Sequence, residues 1–273
     1  MYNVNTLVWI GYYATIGVAD EAQVIAHANK VKWVSVFGEN FHLHGCDITR
    51  TISDELVNAA RANGVSLLMR TGAVQVGAEN ILADQSRQDD VIDAIVNHPN
   101  RDLFDGIAFD WEGISDAYEE QWITFLTRLK SALGGKLLFI TVPAKSDETR
   151  YPAYDYPRLG SICDKLIPQM YVGNLGETDE YYREVLNYAM SVMPKEKFVP
   201  NFSLTDPLEI IDRRIGIAVN EFGLNNISAF RMDLATEAFW NLIERPTPIS
   251  PTELLIRAAL SATTGVGIIL IFL

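Results

Sequence analysis

Two acidic residues end the apolar stretch at residues 104–112, whose sequence is Phe-Asp-Gly-Ile-Ala-Phe-Asp-Trp-Glu. Residues 106–112 have the pattern of a β-strand, in which side chains alternate between two faces. Asp110 and Glu112 therefore share one face with Ala108, and the two carboxyls lie about 7 Å apart along the strand. Like charges at that range raise the pKa of one group, and partial burial raises it further. A carboxyl kept protonated near neutral pH can act as a general acid.

The surrounding sequence predicts how such a strand is placed. Short apolar runs alternate with amphipathic helical patterns eight times between residues 7 and 262, which favours a single-domain α/β fold, the (β/α)8 barrel. A doubly wound open sheet is the alternative, but residues 11–14, Gly-Tyr-Tyr-Ala, are not a glycine-rich phosphate turn. The predicted strands are residues 7–14, 33–41, 65–70, 106–112, 136–142, 165–172, 198–204 and 227–234.

Predicted helices follow these strands, except in the fifth unit. There the connection over residues 145–164 is rich in Tyr, Pro and Asp, and we expect a long loop with a short helix at most. Ser53 is the predicted N-cap of the second helix, and Gly64 follows its C-terminus. The predicted helices are residues 21–30, 53–63, 89–97, 118–133, 179–193, 208–222 and 251–262.

In such a barrel the face that carries Asp110 and Glu112 points inward. Catalytic groups of these barrels collect at the carboxyl ends of the strands, so the two carboxyls would converge at the mouth. The alternative is that both residues are ordinary polar groups at the end of a strand. The residues alone leave these two interpretations equal.

The charge balance limits the classes of partner. The 273 residues include 35 acidic and 22 basic side chains, which gives a formal charge of −13. Binding to nucleic acid requires clustered Lys and Arg for the phosphates, so we expect no nucleic-acid partner. A neutral substrate such as a sugar fits this charge. The 48% hydrophobic content is enough for a large core and excludes global disorder.

The ends of the chain and the cysteines leave several questions open. The start lacks a basic region, and the apolar run at residues 7–10 is too short for a signal peptide, so the protein is cytoplasmic or its leader lies outside this chain. Residues 258–273 carry no charge; we expect a last helix and a buried, apolar tail at 263–273, with a truncated membrane anchor or a lipid-anchor signal as the alternative. Cys46 and Cys163 fit one disulfide or two thiols equally well.

Residues 42–47, His-Leu-His-Gly-Cys-Asp, contain ligand types that bind metals. No distant ligand accompanies them, and the carboxylates of the fourth strand explain a site without a metal. We therefore expect a polar loop that lines a substrate cleft, and neither a metal nor a cofactor.

A family resemblance then favours the catalytic interpretation. Residues 105–112 resemble the DGxDxDxE signature of glycoside hydrolase family 18, the chitinases and their relatives. Residues 167–171, Ile-Pro-Gln-Met-Tyr, resemble the sixth-strand segment of that family, and residues 154–156 and 162–166 resemble its di-N-acetylchitobiase-type members. Residues 33–37 and 11–13 fit its second and first strands. The resemblance covers residues 6–262 and implies a bare barrel over residues 1–262 without an insertion domain.

The resemblance implies substrate-assisted, retaining hydrolysis of β-1,4-linked N-acetylglucosamine, as in chitin and chitooligosaccharides. Glu112 would be the general acid and later the base. Asp110 would orient the 2-acetamido group and stabilise the charged intermediate, and Tyr171 would donate a hydrogen bond to the acetamide oxygen. The resemblance also implies a secreted or lysosome-like location, and we expect a monomer. The remaining predicted substrate contacts are Gln169, Tyr12, Phe37, Asn201 and Arg231.

Three positions depart from the family pattern. Ala108 replaces the first Asp of DxDxE, which normally partners the middle one. Val172 follows Tyr171 where Asp or Asn is usual. Arg231 stands about where the family has a Trp as the floor under the sugar, and Phe230 or Trp240 would have to replace that floor. These departures motivate the alternative of a catalytically impaired barrel that binds chitooligosaccharides as a lectin.

Overall fold

The structure is a computed structural model that describes residues 1–11, 17–37 and 40–246. Eight parallel strands form a closed ring, because the first strand pairs with both the second and the eighth and the second pairs with the third. The predicted (β/α)8 barrel is thereby confirmed. The strands are β1 (Asn5–Gly11), β2 (Trp33–Phe37), β3 (Ser66–Ala73), β4 (Gly106–Trp111), β5 (Leu137–Pro143), β6 (Lys165–Gln169), β7 (Asn201–Ser203) and β8 (Asn226–Phe230).

Helices cover the outside of the ring. Both predicted ends of the second helix are confirmed. The Ser53 hydroxyl accepts a hydrogen bond from the Leu56 amide at 3.1 Å, and Gly64, which follows the last helical residue, has a φ of 58°. Within the described ranges the α-helices are α1 (Gly17–Ala26), α2 (Asp54–Asn63), α3 (Gln75–Leu82), α4 (Gln85–Val96), α5 (Glu119–Ala132), α6 (Tyr156–Ile162), α7 (Val172–Leu175), α8 (Glu180–Val192), α9 (Leu208–Asn220) and α10 (Glu237–Trp240).

Several predicted elements were wrong in extent: the seventh strand spans only Asn201–Ser203, and the eighth ends at Phe230 instead of residue 234. The second strand ends at Phe37 instead of residue 41, and an antiparallel hairpin of Asn40–Leu43 and Cys46–Thr49 follows it. His44 and Gly45, both with positive φ, make the turn of this hairpin. The third connection holds two helices, α3 and α4, where one was predicted, because Asp84 caps a new helix by accepting from the amides of residues 86 and 87.

Some predictions fall on parts of the chain that the structure leaves undescribed. They are the end of the first predicted strand at residues 12–14, the closing helix at residues 251–262 and the apolar tail at residues 263–273. At the base of the barrel, Tyr2–Asn3 pairs in parallel with Ile243–Glu244. Within the described ranges, no helix has both the length and the hydropathy that a membrane crossing requires.

The interior of the barrel is filled by every second residue of the strands. Its buried apolar side chains form one cluster, separate from the larger core between strands and helices. Because large groups close the lower part of the barrel, only the mouth at the carboxyl ends is left open for a ligand. The interior cluster consists of Leu7, Trp9, Trp33, Leu68, Ala108, Phe139, Ile167 and Val199.

The opposite face of β4 is held by aromatic packing. Trp111 is 1% exposed and stacks on Trp122 at 5.4 Å and on Phe125 at 5.1 Å between ring centroids. Trp122 and Phe125 belong to α5, so this contact fixes the helix behind the strand that carries the carboxylates. Burial of a side chain of this size contributes about 2–3 kcal/mol, and each stacked pair adds about 1 kcal/mol.

Both cysteines are free thiols. Cys46 and Cys163 are buried, and burial raises the pKa of each thiol to about 12. Each thiol therefore stays protonated and unreactive at neutral pH. Of the two alternatives left by the sequence, the structure shows two thiols.

Gly106 provides a test of the contact between β4 and β5. It pairs with Leu137, and a Cβ at residue 106 would lie 2.5 Å from the Leu137 Cβ and carbonyl oxygen. Gly106→Ala should lower the free energy of unfolding by about 1–3 kcal/mol, because the two strands must separate. Gly173→Ala is the control, since its added Cβ would have no atom within 4 Å outside its chain neighbours and its own helix. Equal stability of the two variants in urea denaturation would contradict the argument.

Candidate active site

The two carboxylates lie at the mouth of the barrel, as predicted. Asp110 is the second-to-last residue of β4, and Glu112 directly follows the strand. Both line a central cavity of about 310 Å³, and Glu112 also borders two further cavities, one on each side of it. The central cavity is lined by Trp9, Asp110, Glu112, Thr141, Gln169, Tyr171, Asn174, Asn201 and Phe230.

Glu112 is held from three sides. Its amide donates to the Ala73 carbonyl of β3 at 2.9 Å. The Tyr154 hydroxyl donates to the Trp111 carbonyl at 2.9 Å and accepts from the Ile114 amide at 3.1 Å, which fixes the backbone on both sides of Glu112. The Gln169 side-chain amide, at the end of β6, donates to Glu112 Oε1 at 2.6 Å. The carboxyl is thus oriented while the side chain remains exposed to the cavities.

Asp110 is paired with an arginine that the sequence analysis did not identify. The Arg70 Nη2 atom of β3 donates to Asp110 Oδ2 at 2.8 Å, and the side chains of Arg70 and Asp110 are 13% and 14% exposed. The available signal was the type of residue: an arginine at an inward position of a strand otherwise made of apolar and small residues. Such a charge requires a partner inside the barrel.

Tyr171 lies just after β6. The predicted strand 165–172 was too long, because the chain turns after Gln169 into the short helix α7, for which Tyr171 is the N-cap. The Asn201 side-chain amide donates to the Tyr171 hydroxyl oxygen at 2.8 Å. The hydroxyl proton is therefore left for donation to another acceptor. Burial, with the negative charges of Asp110 and Glu112, raises the pKa of this phenol, so it keeps that proton.

Asp206 supplies a contact at the position where the sequence departs from the family. Val172 follows Tyr171, and its side chain offers no polar group. The Val172 amide instead donates to Asp206 Oδ2 at 3.0 Å, from the loop after β7. Burial raises the pKa of the Asp206 carboxyl. This contact fixes the backbone next to Tyr171.

An aromatic side chain lines the central cavity next to Arg231, the residue aligned with the family's Trp; that it serves as the floor under a sugar stays a prediction. Phe230 ends β8, borders the central cavity and stacks on Tyr171 with 6.3 Å between ring centroids. Trp9, which the sequence analysis also missed, borders the same cavity from β1 and donates to the Ser228 hydroxyl at 2.9 Å. The sequence signal for Trp9 was its position two residues after Leu7, which places both side chains on the same face of β1. Trp240 stacks on His27, at 4.3 Å, away from the lining.

The other predicted contacts have different outcomes. Gln169 and Asn201 line the central cavity. The Arg231 guanidinium forms two hydrogen bonds of 2.6 Å with Asp233, and its role in binding a sugar stays a prediction. Tyr12 and the side chain of Phe37 lie outside what the structure describes, so their predicted contacts also remain untested.

The histidines of the hairpin pair with carboxylates. His42 contacts Asp47, and His44 Nε2 lies 2.7 Å from Asp90 Oδ2. Within the described part of the chain, no group of three or more His, Cys, Asp or Glu side chains is arranged to hold a metal ion. Residues 42–47, predicted as a polar loop, form the tip of the hairpin, and Asp47 borders the cavity on the hairpin side of Glu112. That this cavity belongs to a substrate cleft stays a prediction.

Comparison with known proteins agrees with this geometry. An inward-facing acid pair at the carboxyl end of β4 in a closed barrel is typical of a glycoside hydrolase. The family model for glycosyl hydrolases family 18 matches residues 8–181, more than half of the chain. The chain therefore belongs to glycosyl hydrolase family 18. Among curated proteins, no sequence matches it.

Solved structures share the fold at low sequence identity. The spore cortex-lytic enzyme SleL of Bacillus megaterium QM B1551 superposes with a TM-score of 0.73 and 18% identity, over 88% of this chain and 73% of that one. A class V chitinase from Pseudomonas fluorescens Pf-5 gives 0.73 and 15%, over 88% and 98%. A chitinase from Chromobacterium violaceum ATCC 12472 gives 0.72 and 17%, over 88% and 97%. These identities support the fold alone.

The protonation of Tyr171 can be measured by absorbance titration of phenolate. An unfolded tyrosine ionises near pH 10, and the raised pKa of Tyr171 keeps its phenol neutral beyond that value. Folded Tyr171→Phe should therefore titrate like the wild type between about pH 9 and 11. In guanidinium chloride, where every tyrosine titrates, the absorbance change of the variant should be smaller than that of the wild type by the contribution of one tyrosine. This comparison is the control. Loss of that amplitude in the folded protein would contradict a buried, neutral phenol.

Proposed function

We propose that this chain is a retaining hydrolase of β-1,4-linked N-acetylglucosamine, acting on chitin or chitooligosaccharides with the substrate's own acetamide as nucleophile. One observation carries the proposal: Asp110, Glu112 and Tyr171 border a single cavity at the mouth of the barrel. Such a reaction requires an acid, an orienting carboxylate and a hydrogen-bond donor, and these roles fall to Glu112, Asp110 and Tyr171 in that order. Membership of the family supports the same reaction class.

The first step breaks the glycosidic bond. Glu112 gives its proton to the glycosidic oxygen, so the leaving sugar departs as an alcohol. The carbonyl oxygen of the 2-acetamido group attacks the anomeric carbon from the opposite face and forms a cyclic oxazolinium ion. In the second step the Glu112 carboxylate takes a proton from water, and the water oxygen attacks the anomeric carbon. This attack opens the oxazolinium ring and restores the acetamido group. Two inversions leave the anomeric configuration unchanged.

Asp110 and Tyr171 act on the acetamide. The Asp110 carboxylate accepts the acetamide N–H, which aims the carbonyl oxygen at the anomeric carbon and stabilises the positive charge that develops. Tyr171 donates its O–H to the carbonyl oxygen, because its own oxygen is already engaged by Asn201. A donor aimed at a reacting oxygen in this way lowers the activation free energy by about 3–4 kcal/mol.

The cavities beside Glu112 indicate a substrate longer than one sugar. The larger, of about 580 Å³, lies on the side of the β5–β6 loops and contains Arg150, Tyr151 and Tyr181. The Arg150 guanidinium lies 5.0 Å from the Tyr181 ring centroid and donates to the Tyr181 hydroxyl. The aromatic faces of the two tyrosines suit the apolar faces of pyranose rings. We infer that the bond to be cleaved lies within an oligosaccharide that extends on both sides of Glu112.

A sugar-binding protein without turnover is the second candidate. The observation that favours it is Ala108, because this position lacks the carboxyl that normally partners the middle Asp of the motif. The same cavities would hold the oligosaccharide in either case. Hydrolysis, rather than binding, therefore distinguishes the two candidates.

The role of Glu112 can be tested by one substitution. Glu112→Gln keeps the shape of the side chain and one oxygen that can accept from Gln169 but removes the acid, so release of a chromophore from a chitobiose glycoside should fall by about 10²–10⁴-fold. Glu209→Gln, on the exposed side of α9, is the matched control and should keep full activity. Mass spectrometry of chitooligosaccharide digests gives the cleavage position.

Two results would change the assignment. Equal turnover by Glu112→Gln and the wild type would rule out this residue as the acid. Tight chitooligosaccharide binding by the wild type, measured by calorimetry, with no products after days of incubation would favour the lectin.

A further inference from the structure

The register between β3 and β4 brings an arginine under the catalytic aspartate. In this parallel pair Arg70 stands opposite Ala108, and Gly72 stands opposite Asp110. Arg70 and Gly72 are two residues apart, so both face the interior of the barrel. The Arg70 side chain therefore starts one layer below Asp110 and rises toward the mouth, where Nη2 reaches Oδ2 at 2.8 Å.

Gly72 provides the path for this side chain. A Cβ added at Gly72 would collide with the Nη1, Cζ and Nη2 atoms of Arg70. The guanidinium thus lies directly over the Gly72 backbone. Gly72 is not among the glycines with positive φ, so no special backbone conformation accounts for it. We attribute the glycine at this position to the close approach of the Arg70 guanidinium.

Ala108 leaves the remaining space. It is fully buried on the interior face of β4, directly across from Arg70. A side chain with a carboxyl at this position would project into the same layer as the stem of Arg70. The small side chain at residue 108 thus leaves room for the arginine on the neighbouring strand, whose charge is complementary to that of Asp110.

An arginine and a carboxyl support an aspartate in different ways. Two neighbouring carboxyls can stay together only by sharing a proton, because like charges repel at that distance. A guanidinium is always charged and donates through a rigid planar fork, so its contact with a carboxylate needs no shared proton. With both partners about one-eighth exposed, water and salt screen the pair weakly.

From this geometry we propose that Arg70 is a positioning residue for the reaction, which holds the Asp110 carboxylate toward the acetamide and takes over the function of the carboxyl absent at residue 108. Gly72 and Ala108 act with it, because both must be small for the guanidinium to reach Asp110. The proposal rests on the proposed hydrolase function for its role in the reaction, and on the described contacts for the positioning itself.

Steady-state kinetics with the chitobiose glycoside test the role in the reaction. Arg70→Ala should lower kcat by about 10–100-fold, because a misplaced catalytic group costs rate, while KM changes by less than about 3-fold if binding energy is retained. Arg70→Lys keeps the charge and should recover part of the lost kcat. Melting temperatures of the variants check that each is folded.

Gly72→Ala gives a sharper test of the mechanism. It should lower kcat about as much as Arg70→Ala does, because its methyl group displaces the guanidinium. The double variant Arg70→Ala/Gly72→Ala should then be no slower than Arg70→Ala alone, since neighbouring residues that act through one contact are not additive. Additive losses, a loss confined to KM, or an unchanged kcat in Arg70→Ala would each overturn the proposal.

Crystal structures of the wild type and Arg70→Ala separate this proposal from the proposed function. If the wild type hydrolyses no chitooligosaccharide, the proposed function fails, and the structures still test positioning. The Asp110 carboxylate should change its rotamer or lose order in Arg70→Ala. An unchanged carboxylate in that variant would overturn the proposal whether or not the wild type is active.

Discussion

The inward alternation of side chains in a closed ring of strands is the constraint on which the site depends. Because β4 is locked between β3 and β5, every second residue faces the interior, and the last two inward residues are Asp110 and Glu112. A shift of one residue would turn both carboxylates outward and bring Trp111 into the mouth. The stacking of Trp111 on Trp122 opposes that shift. The packing of the outer core thus determines which groups face the mouth of the barrel.

Glu112 and Tyr171, the proposed acid and hydrogen-bond donor, are each oriented by a neighbour from another part of the barrel. Gln169 holds Glu112 from β6, and Asn201 holds the Tyr171 hydroxyl from β7. Both contacts are made by side chains of the barrel itself, so the fold fixes the orientation of these groups. Catalysis in a site of this kind comes mainly from dipoles and charges that are already aimed at the reacting atoms.

The sequence was sufficient for features that depend on local patterns. The eight strands follow from apolar periodicity, and Asp110 and Glu112 follow from alternation along one strand together with a specific motif. The boundaries were less predictable: the strand before Tyr171 ends early because the chain turns into α7. Local sequence propensity does not predict that turn, because it depends partly on the contact between the Val172 amide and Asp206, which is distant in sequence.

Features that depend on the register between strands could not be predicted. The contact between Arg70 and Asp110 joins residues 40 positions apart, and it needs both the β3–β4 pairing and the space over Gly72. Trp9 likewise becomes part of the site only when β1 closes the ring beside β8. Sequence patterns identify which face of a strand points inward, whereas the height of each residue within the barrel is known only from the structure.

The most direct measurement concerns the nucleophile. A series of chitobiose glycosides whose acetamido methyl group carries zero to three fluorine atoms lowers the basicity of the attacking carbonyl oxygen stepwise, with little change in size. Attack by the acetamide predicts that kcat/KM falls steeply with each added fluorine. A rate independent of fluorine content would mean that a group of the protein, or water, attacks the anomeric carbon, and would contradict the account.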